Sequence, residues 1–248
     1  MGAERNIGNR GMSPGSGYAL DQRFFVRFSI IMAVVIILGF AQFAARGMVD
    51  LPAVPKWVHL HAILMLGWLG LLVTQNLLIQ RSNIALHRKL GWLGGGLALI
   101  ICVTGLYTGY MAVQLQRFPP FFTNSYFLAL VLVEMLVFAV MVVWAIMLRR
   151  QTQWHRRIMF GATIIALEPA FGRLLPMPLL GDWGEWLILV CQLVFVAVMA
   201  RHDRKIAGHI HPATLASGAI VTAVHVVITG LSLFPPFQRI AESIAAAG

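Results

Sequence analysis

The sequence predicts an all-α polytopic membrane protein: a bundle of seven transmembrane helices, N-terminus cytoplasmic and C-terminus external. Three observations predict it. The first is composition. Of 248 residues, 59% are hydrophobic and 11% charged, and the mean hydropathy is +0.79. A water-soluble domain carries about 25% charged residues, so this chain has too few to cover a water-facing surface. The second is a set of seven apolar runs, each close to the roughly 20 residues a spanning helix needs: Phe25–Ala44, Trp57–Ile79, Leu90–Val113, Ser125–Leu148, Ile158–Leu175, Trp183–Met199 and Leu215–Phe234. The third is the placing of lysine and arginine, which sets orientation. Alternate loops put Arg5, Arg10, Arg23, Arg27, Arg81, Arg88, Lys89, Arg149, Arg150, Arg156, Arg157, Arg201, Arg204 and Lys205 on one side. Arg46, Lys56, Arg117, Arg173 and Arg239 fall on the other, fourteen against five.

The net charge of +10 is thereby a topology signal, strengthened by anionic lipid. Nucleic acid is excluded as a partner, because the basic residues follow the loops and form no separate patch. The two cysteines, Cys102 and Cys191, lie inside apolar runs and read as buried thiols.

Along the chain, residues 1–23 read as a polar cytoplasmic tail, residues 24–236 as the seven-helix domain and residues 237–248 as a short external tail. Ala41, Ala44 and Ala45 follow the first apolar run, yet its length and polar lead favour a retained anchor over a signal peptide. Trp57, Trp183 and Trp186 fall at the outer boundary, and Trp92, Trp144 and Trp154 near the inner one, as an aromatic belt requires. Gly91 and Gly95, then Gly105 and Gly109, place small residues four apart on the third helix for close packing. Pro169 predicts a kink in the fifth.

Each helix returning from the cytoplasmic side starts with histidine: His87-Arg88-Lys89, His155-Arg156-Arg157 and His211-Pro212. A small residue follows seven positions later in each, Gly94, Ala162 and Gly218. Three related hairpins would give this lettering. The histidines are either headgroup anchors or imidazoles gathered beneath one bundle, where they would suit zinc, copper or haem iron.

Ionisable residues within the bilayer are functional candidates by default. The topology places His61, Glu168 and His225 at similar depth in the outer half, with Glu134 deeper. His211 and His225 are fourteen residues apart, within roughly 40° around the helix and about 21 Å along it. That spacing resembles the haem-stacking helix of b-type membrane cytochromes. No second helix repeats it, so two haems would need mixed pairs: His61 with His225 outside, His87 or His155 with His211 inside. Glu134 and Glu168 would then handle coupled protons.

Several chemistries are weakened. The last span has no lysine for a retinal Schiff base and no HxxxH pair. The chain has no Walker A loop, GxSxG or CxxC. His59 and His61 lie about 200° apart around one helix and make a poor chelate.

The run from His61 to Gly91, the segment Trp154–Ala162 (WHRRIMFGA) and the start at His211-Pro212 resemble a family of uncharacterised bacterial multi-spanning membrane proteins with repeated His-Arg motifs, a domain of unknown function. Gly161 stands near where that group tends to have arginine. The resemblance implies a helical, multi-pass protein of the bacterial inner (cytoplasmic) membrane and supplies no activity. The residues therefore carry three expectations. One is an electron-transfer protein holding haem b or a transition metal and reacting with quinone. Another is a small-solute or proton transporter. The last is a non-catalytic subunit or assembly factor among other membrane subunits.

Overall fold

The computed structural model describes residues 14–181 and 183–248, with the side chains of residues 14–19 undescribed. Most of the polar tail expected at residues 1–23 therefore lies outside the described residues. The described chain is all-helical. Its helices are α1 (Pro14–Ala45), α2 (Lys56–Gln80), α3 (Ile84–Gln114), α4 (Asn124–Met147), α5 (Thr152–Ile165), α6 (Glu168–Leu174), α7 (Met177–Leu180), α8 (Trp183–Ala207), α9 (Pro212–Ser232) and α10 (Pro235–Ala245).

Six of these are long and apolar enough to cross a membrane: α1 from Leu20, and α2, α3, α4, α8 and α9. The chain is a multi-pass membrane protein. The run expected as a fifth continuous span is instead two shorter helices, α5 and α6, and the cause is local. Pro169 has no N–H to offer the Ile165 carbonyl one turn back, so the α-helical ladder stops there. Leu167 N–H turns to the Ile164 carbonyl instead, at 3.1 Å, a tighter turn that closes α5. The residues read as a short tail from 237 onward lie largely in α10, which packs against α3 and α4.

The turns explain how neighbouring helices run antiparallel. Asn83 caps α3, its side-chain oxygen accepting the Leu86 N–H at 3.2 Å, and Thr123 Oγ1 caps α4 from the Tyr126 N–H at 3.1 Å. Ser82 (φ 57°) and Gln116 (φ 51°) end α2 and α3 in left-handed conformation. After each, the next N–H returns to a carbonyl five residues back: Asn83 to Leu78 and Arg117 to Ala112, both 2.8 Å. These are Schellman closures.

The α5–α6 segment is the centre of the bundle. Phe160 to Glu168 is buried without interruption, as expected of a helix enclosed on every side. α5 packs on α4, α8 and α9, and α6 on α1 and α8. Gly161 and Gly39 permit this. A Cβ at Gly161 would sit 2.4 Å from Ser217 Oγ and 2.7 Å from Met141 Cε, and one at Gly39 2.8 Å from the Ala170 carbonyl oxygen. Around the segment, Phe25, Phe28, Met32, Phe138 and Phe160 form part of one continuous core.

At the arginine-rich end a buried clamp ties α1, α5, α8 and α9 together. Arg157 donates through Nε and Nη2 to Asp203 Oδ1, at 2.9 and 2.6 Å. Asp203 Oδ2 accepts the His211 N–H at 3.1 Å and the Thr214 hydroxyl at 2.5 Å. Arg156 pairs with Asp21, whose other oxygen meets His202 Nε2 at 2.9 Å. Paired charges with further hydrogen bonds are the form in which burial is tolerated.

Candidate functional site

The helix break frees the Ile165 carbonyl in the buried centre of the bundle, next to that of Ile164, which already takes the Leu167 N–H. Gln192 on α8 answers them: its side-chain Nε2 donates to Ile164 O at 3.0 Å and Ile165 O at 3.1 Å. Only the NH2 of an amide can donate twice, so this contact fixes the amide orientation and aims Gln192 Oε1 the other way. There it meets His225 Nε2 of α9 at 2.6 Å. An amide oxygen accepts only, so His225 Nε2 carries a hydrogen.

The other ring nitrogen then has one partner, and the proton count follows. His225 Nδ1 lies 2.5 Å from Glu185 Oε1, with one proton between them. Either imidazolium faces carboxylate, or neutral imidazole accepts from a carboxylic acid. The Tyr126 hydroxyl of α4 donates to the second oxygen of Glu185. The result is one hydrogen-bonded line, Tyr126–Glu185–His225–Gln192–backbone, drawn from α4, α8, α9 and α5.

Two more carboxylates stand beside it. Glu134 (α4) and Glu168 (the first residue of α6) are both buried. Each lies within electrostatic reach of Glu185, and Glu134 also of Glu168. Glu134 Oε1 is fully buried and has no hydrogen-bond partner among the described residues. A buried polar atom in that state carries a cost of roughly 1–3 kcal/mol, and a chemical role is one of the few reasons such a cost is retained. Arg173, one turn beyond Glu168, directs Nη1 to the Pro169 carbonyl at 2.7 Å and lies over the Phe40 ring at 4.2 Å.

Of the residues singled out in the sequence, Glu134, Glu168 and His225 come together here. His61 does not join them. Its Nδ1 is 3.0 Å from Thr104 Oγ1, and that hydroxyl donates its own proton to the Ile100 carbonyl at 2.8 Å. His61 Nδ1 is therefore the donor, and Nε2 keeps its lone pair. Its ring lies over Gly105, where a Cβ would come within 3.1 Å of Cε1. α2 packs on α1 and α3, whereas α9 packs on α4, α5 and α8, so the expected His61–His225 pair is on helices that are not close neighbours. Both ring nitrogens of His225 are already engaged.

At the arginine-rich end, His155 Nδ1 donates to the Ala145 carbonyl at 2.7 Å, leaving Nε2 with its lone pair. His87 is near enough to feel His155 electrostatically, and its buried Nδ1 has no partner among the described residues, nor has nearby Gln75 Oε1. His211 stands apart from them as the N-cap of α9, its Nδ1 accepting the Ala213 N–H at 3.1 Å. Burial first, and the Arg157 guanidinium second, hold its imidazole below the ordinary histidine range. Among the described residues no group of three or more His, Cys, Asp or Glu is arranged to hold a metal ion.

Three members of the line were not anticipated: Glu185, Gln192 and Tyr126. Two of them share one face of α8. Glu185 and Gln192 are seven apart, two turns of helix, and so lie within about 20° on one face. No family model, no curated protein and no solved structure matches this chain, so the functional reading rests on the chemistry of this cluster.

Proposed function

We propose that the protein is a proton-handling carrier of the bacterial cytoplasmic membrane, moving protons past the break between α5 and α6. In this reading α5 and α6 together make the seventh crossing, the N-terminus is cytoplasmic and the C-terminus external, as the arginine bias indicates. Interrupted spanning helices recur in carriers at the transport site, and here the freed backbone holds Gln192 and, through it, His225. The observation that carries the reading is the 2.5 Å contact between His225 Nδ1 and Glu185 Oε1, flanked by two further buried glutamates.

The steps are proton transfers alone. Tyr126 and Gln192 hold the Glu185–His225 pair from its two ends. Glu185 passes its proton to the unpartnered oxygen of Glu134, and Glu134 passes it to Glu168. The pair is reloaded from the opposite side, with His225 turning between partners. Each acceptor takes the proton as a carboxylate and Glu185 becomes one in turn, so the net charge of the cluster does not change during the transfer, which the low-dielectric interior favours.

The test uses purified protein in liposomes enclosing a pH-sensitive dye, with a potassium–valinomycin potential. Wild-type protein should acidify or alkalinise the lumen faster than empty liposomes. Glu134→Gln and Glu168→Gln should slow that flux on the order of a hundredfold, the scale of a lost proton-transfer group. Flux equal to empty liposomes in the wild type, or unchanged in both variants, would refute the reading.

A haem or metal reading retains one observation in its favour. His61 and His155 each donate through Nδ1 and keep Nε2 as a lone pair, the orientation in which ligating imidazoles are held. A Soret band in protein purified after haem-supplemented expression, lost in His61→Ala or His155→Ala, would move the assignment to electron transfer with quinone.

A further inference from the structure

The face that α8 and α9 turn away from the cluster is furrowed. Leu193 and Val196 of α8 stand over Gly218, Ala219, Thr222 and Ala223 of α9, lining an open apolar groove of about 640 Å³. Small residues on α9 form its floor. The Thr222 hydroxyl donates to the Gly218 carbonyl at 3.0 Å, so that side chain offers the groove no donor. A second depression of about 440 Å³ continues along the same face of α8 and is lined by Ala197, Ala200, Arg201, Arg204 and Ile210. The residues from Leu193 to Arg204 cover about 16 Å of helix, close to one leaflet of a hydrocarbon core about 30 Å thick.

The two arginines at the mouth decide the occupant. Arg201 and Arg204 are exposed, one turn apart, and neither has an acidic partner among the described residues. The neighbouring Arg156 and Arg157 are committed to Asp21 and Asp203. An apolar slot one leaflet long, ending in two cations at the height of the headgroups, is complementary to an anionic phospholipid. We propose that this groove binds one such lipid from the surrounding bilayer, an acyl chain lying between α8 and α9 and the phosphate held by Arg201 and Arg204. Guanidinium groups match phosphate oxygens in pairs, and basic residues at this depth select anionic lipid.

The experiment is native mass spectrometry of the full chain, released from mild detergent after exposure to equimolar phosphatidylglycerol and phosphatidylcholine. Wild-type protein should carry one phosphatidylglycerol, preferred on the order of thirtyfold, the effect of two arginines at a headgroup. The double variant Arg201→Gln/Arg204→Gln should bind both lipids equally. Arg81→Gln/Arg88→Gln removes the same charge elsewhere and should keep the preference. Ala219→Leu/Ala223→Leu fills a lipid-facing groove without touching the core and should lose the retained lipid. No preference in the wild type, a preference that survives loss of Arg201 and Arg204, or lipid retained by the filled groove would each overturn the proposal. Displacement by glycerol phosphate alone, or a disulfide between two copies carrying Ala223→Cys, would overturn it in favour of a soluble anion or a second copy of the chain.

Discussion

Gln192 is the residue on which the site turns, because it satisfies two carbonyls and one imidazole at once. Replacing it by leucine leaves Ile165 O without its donor and His225 Nε2 without its acceptor. Gln192→Leu should lower stability by about 1–3 kcal/mol, read as an earlier thermal transition in detergent, and should also reduce proton flux. A leucine variant as stable as the wild type would mean that water replaces the amide there. Sequence reading could find Glu134, Glu168 and His225, since a charged or titratable side chain within an apolar run is conspicuous. Glu185 was hidden by its place between Trp183 and Trp186, where a boundary residue is unremarkable. Gln192 and Tyr126 were hidden because an uncharged polar group becomes significant only when a partner is known.

His211 gives a prediction at the same scale. Its Nδ1 must be unprotonated to accept the Ala213 N–H, and burial and Arg157 favour that state, against the opposing pull of Asp203. The unfolded chain takes up the proton near pH 6.5 and the folded one only at lower pH. The stabilisation is therefore present above about pH 6.5 and is lost as pH falls from there toward the folded value. The thermal midpoint should fall between about pH 7.5 and about pH 5.5, and His211→Asn, which caps without titrating, should flatten that fall. An equal slope in the variant would assign the pH dependence to another group.

At the scale of elements, the third helix separates two uses of glycine that look alike in sequence. A Cβ at Gly109 would lie 2.5 Å from Val131 Cγ1, and one at Gly105 2.4 Å from Met135 Sδ. At Gly91 a Cβ meets only Gln75 Nε2, at 3.8 Å. Gly109→Ala should thus cost about 1–3 kcal/mol, because Val131 is stiff and backed by its helix. Gly91→Ala should stabilise by up to about 1 kcal/mol through helix propensity. Denaturation of the two variants side by side checks the opposite signs. The spacing of four was visible in the sequence for both pairs, but the helix that fills it was not. The fifth segment teaches the same lesson. Pro169 announced a kink, yet hydropathy alone could not say that the break would be sealed by a side chain from α8, since that depends on which helices become neighbours. Ser82, left-handed at the end of α2, is a third case at this scale. Ser82→Gly should raise stability by about 1 kcal/mol.

For the whole molecule, the all-helical fold and the six long crossings were legible because they follow from hydropathy and from the scarcity of charge. What was not legible was convergence. Three helix starts with histidine are read either as headgroup anchors or as one gathering of imidazoles. In the structure His87 and His155 approach each other, His211 caps a helix, His61 bonds to α3 and His225 joins the carboxylates. The reason is packing order: the broken segment takes the centre of the bundle and separates helices that equal depth alone had placed together. The buried clamp of Arg157 and Asp203 closes one end of that centre, while Tyr126 and Glu185 occupy the first turns of α4 and α8 at the other.

Proton movement here requires Glu185 and His225 to share one proton as a single unit, and a substitution cycle on dye-loaded proteoliposomes addresses that directly. Groups that act as one unit give grossly non-additive losses. Glu185→Gln, His225→Asn and the double variant should all fall to the same residual flux, each on the order of a hundredfold below wild type. Losses that multiply in the double variant, or either single variant retaining wild-type flux, would contradict it.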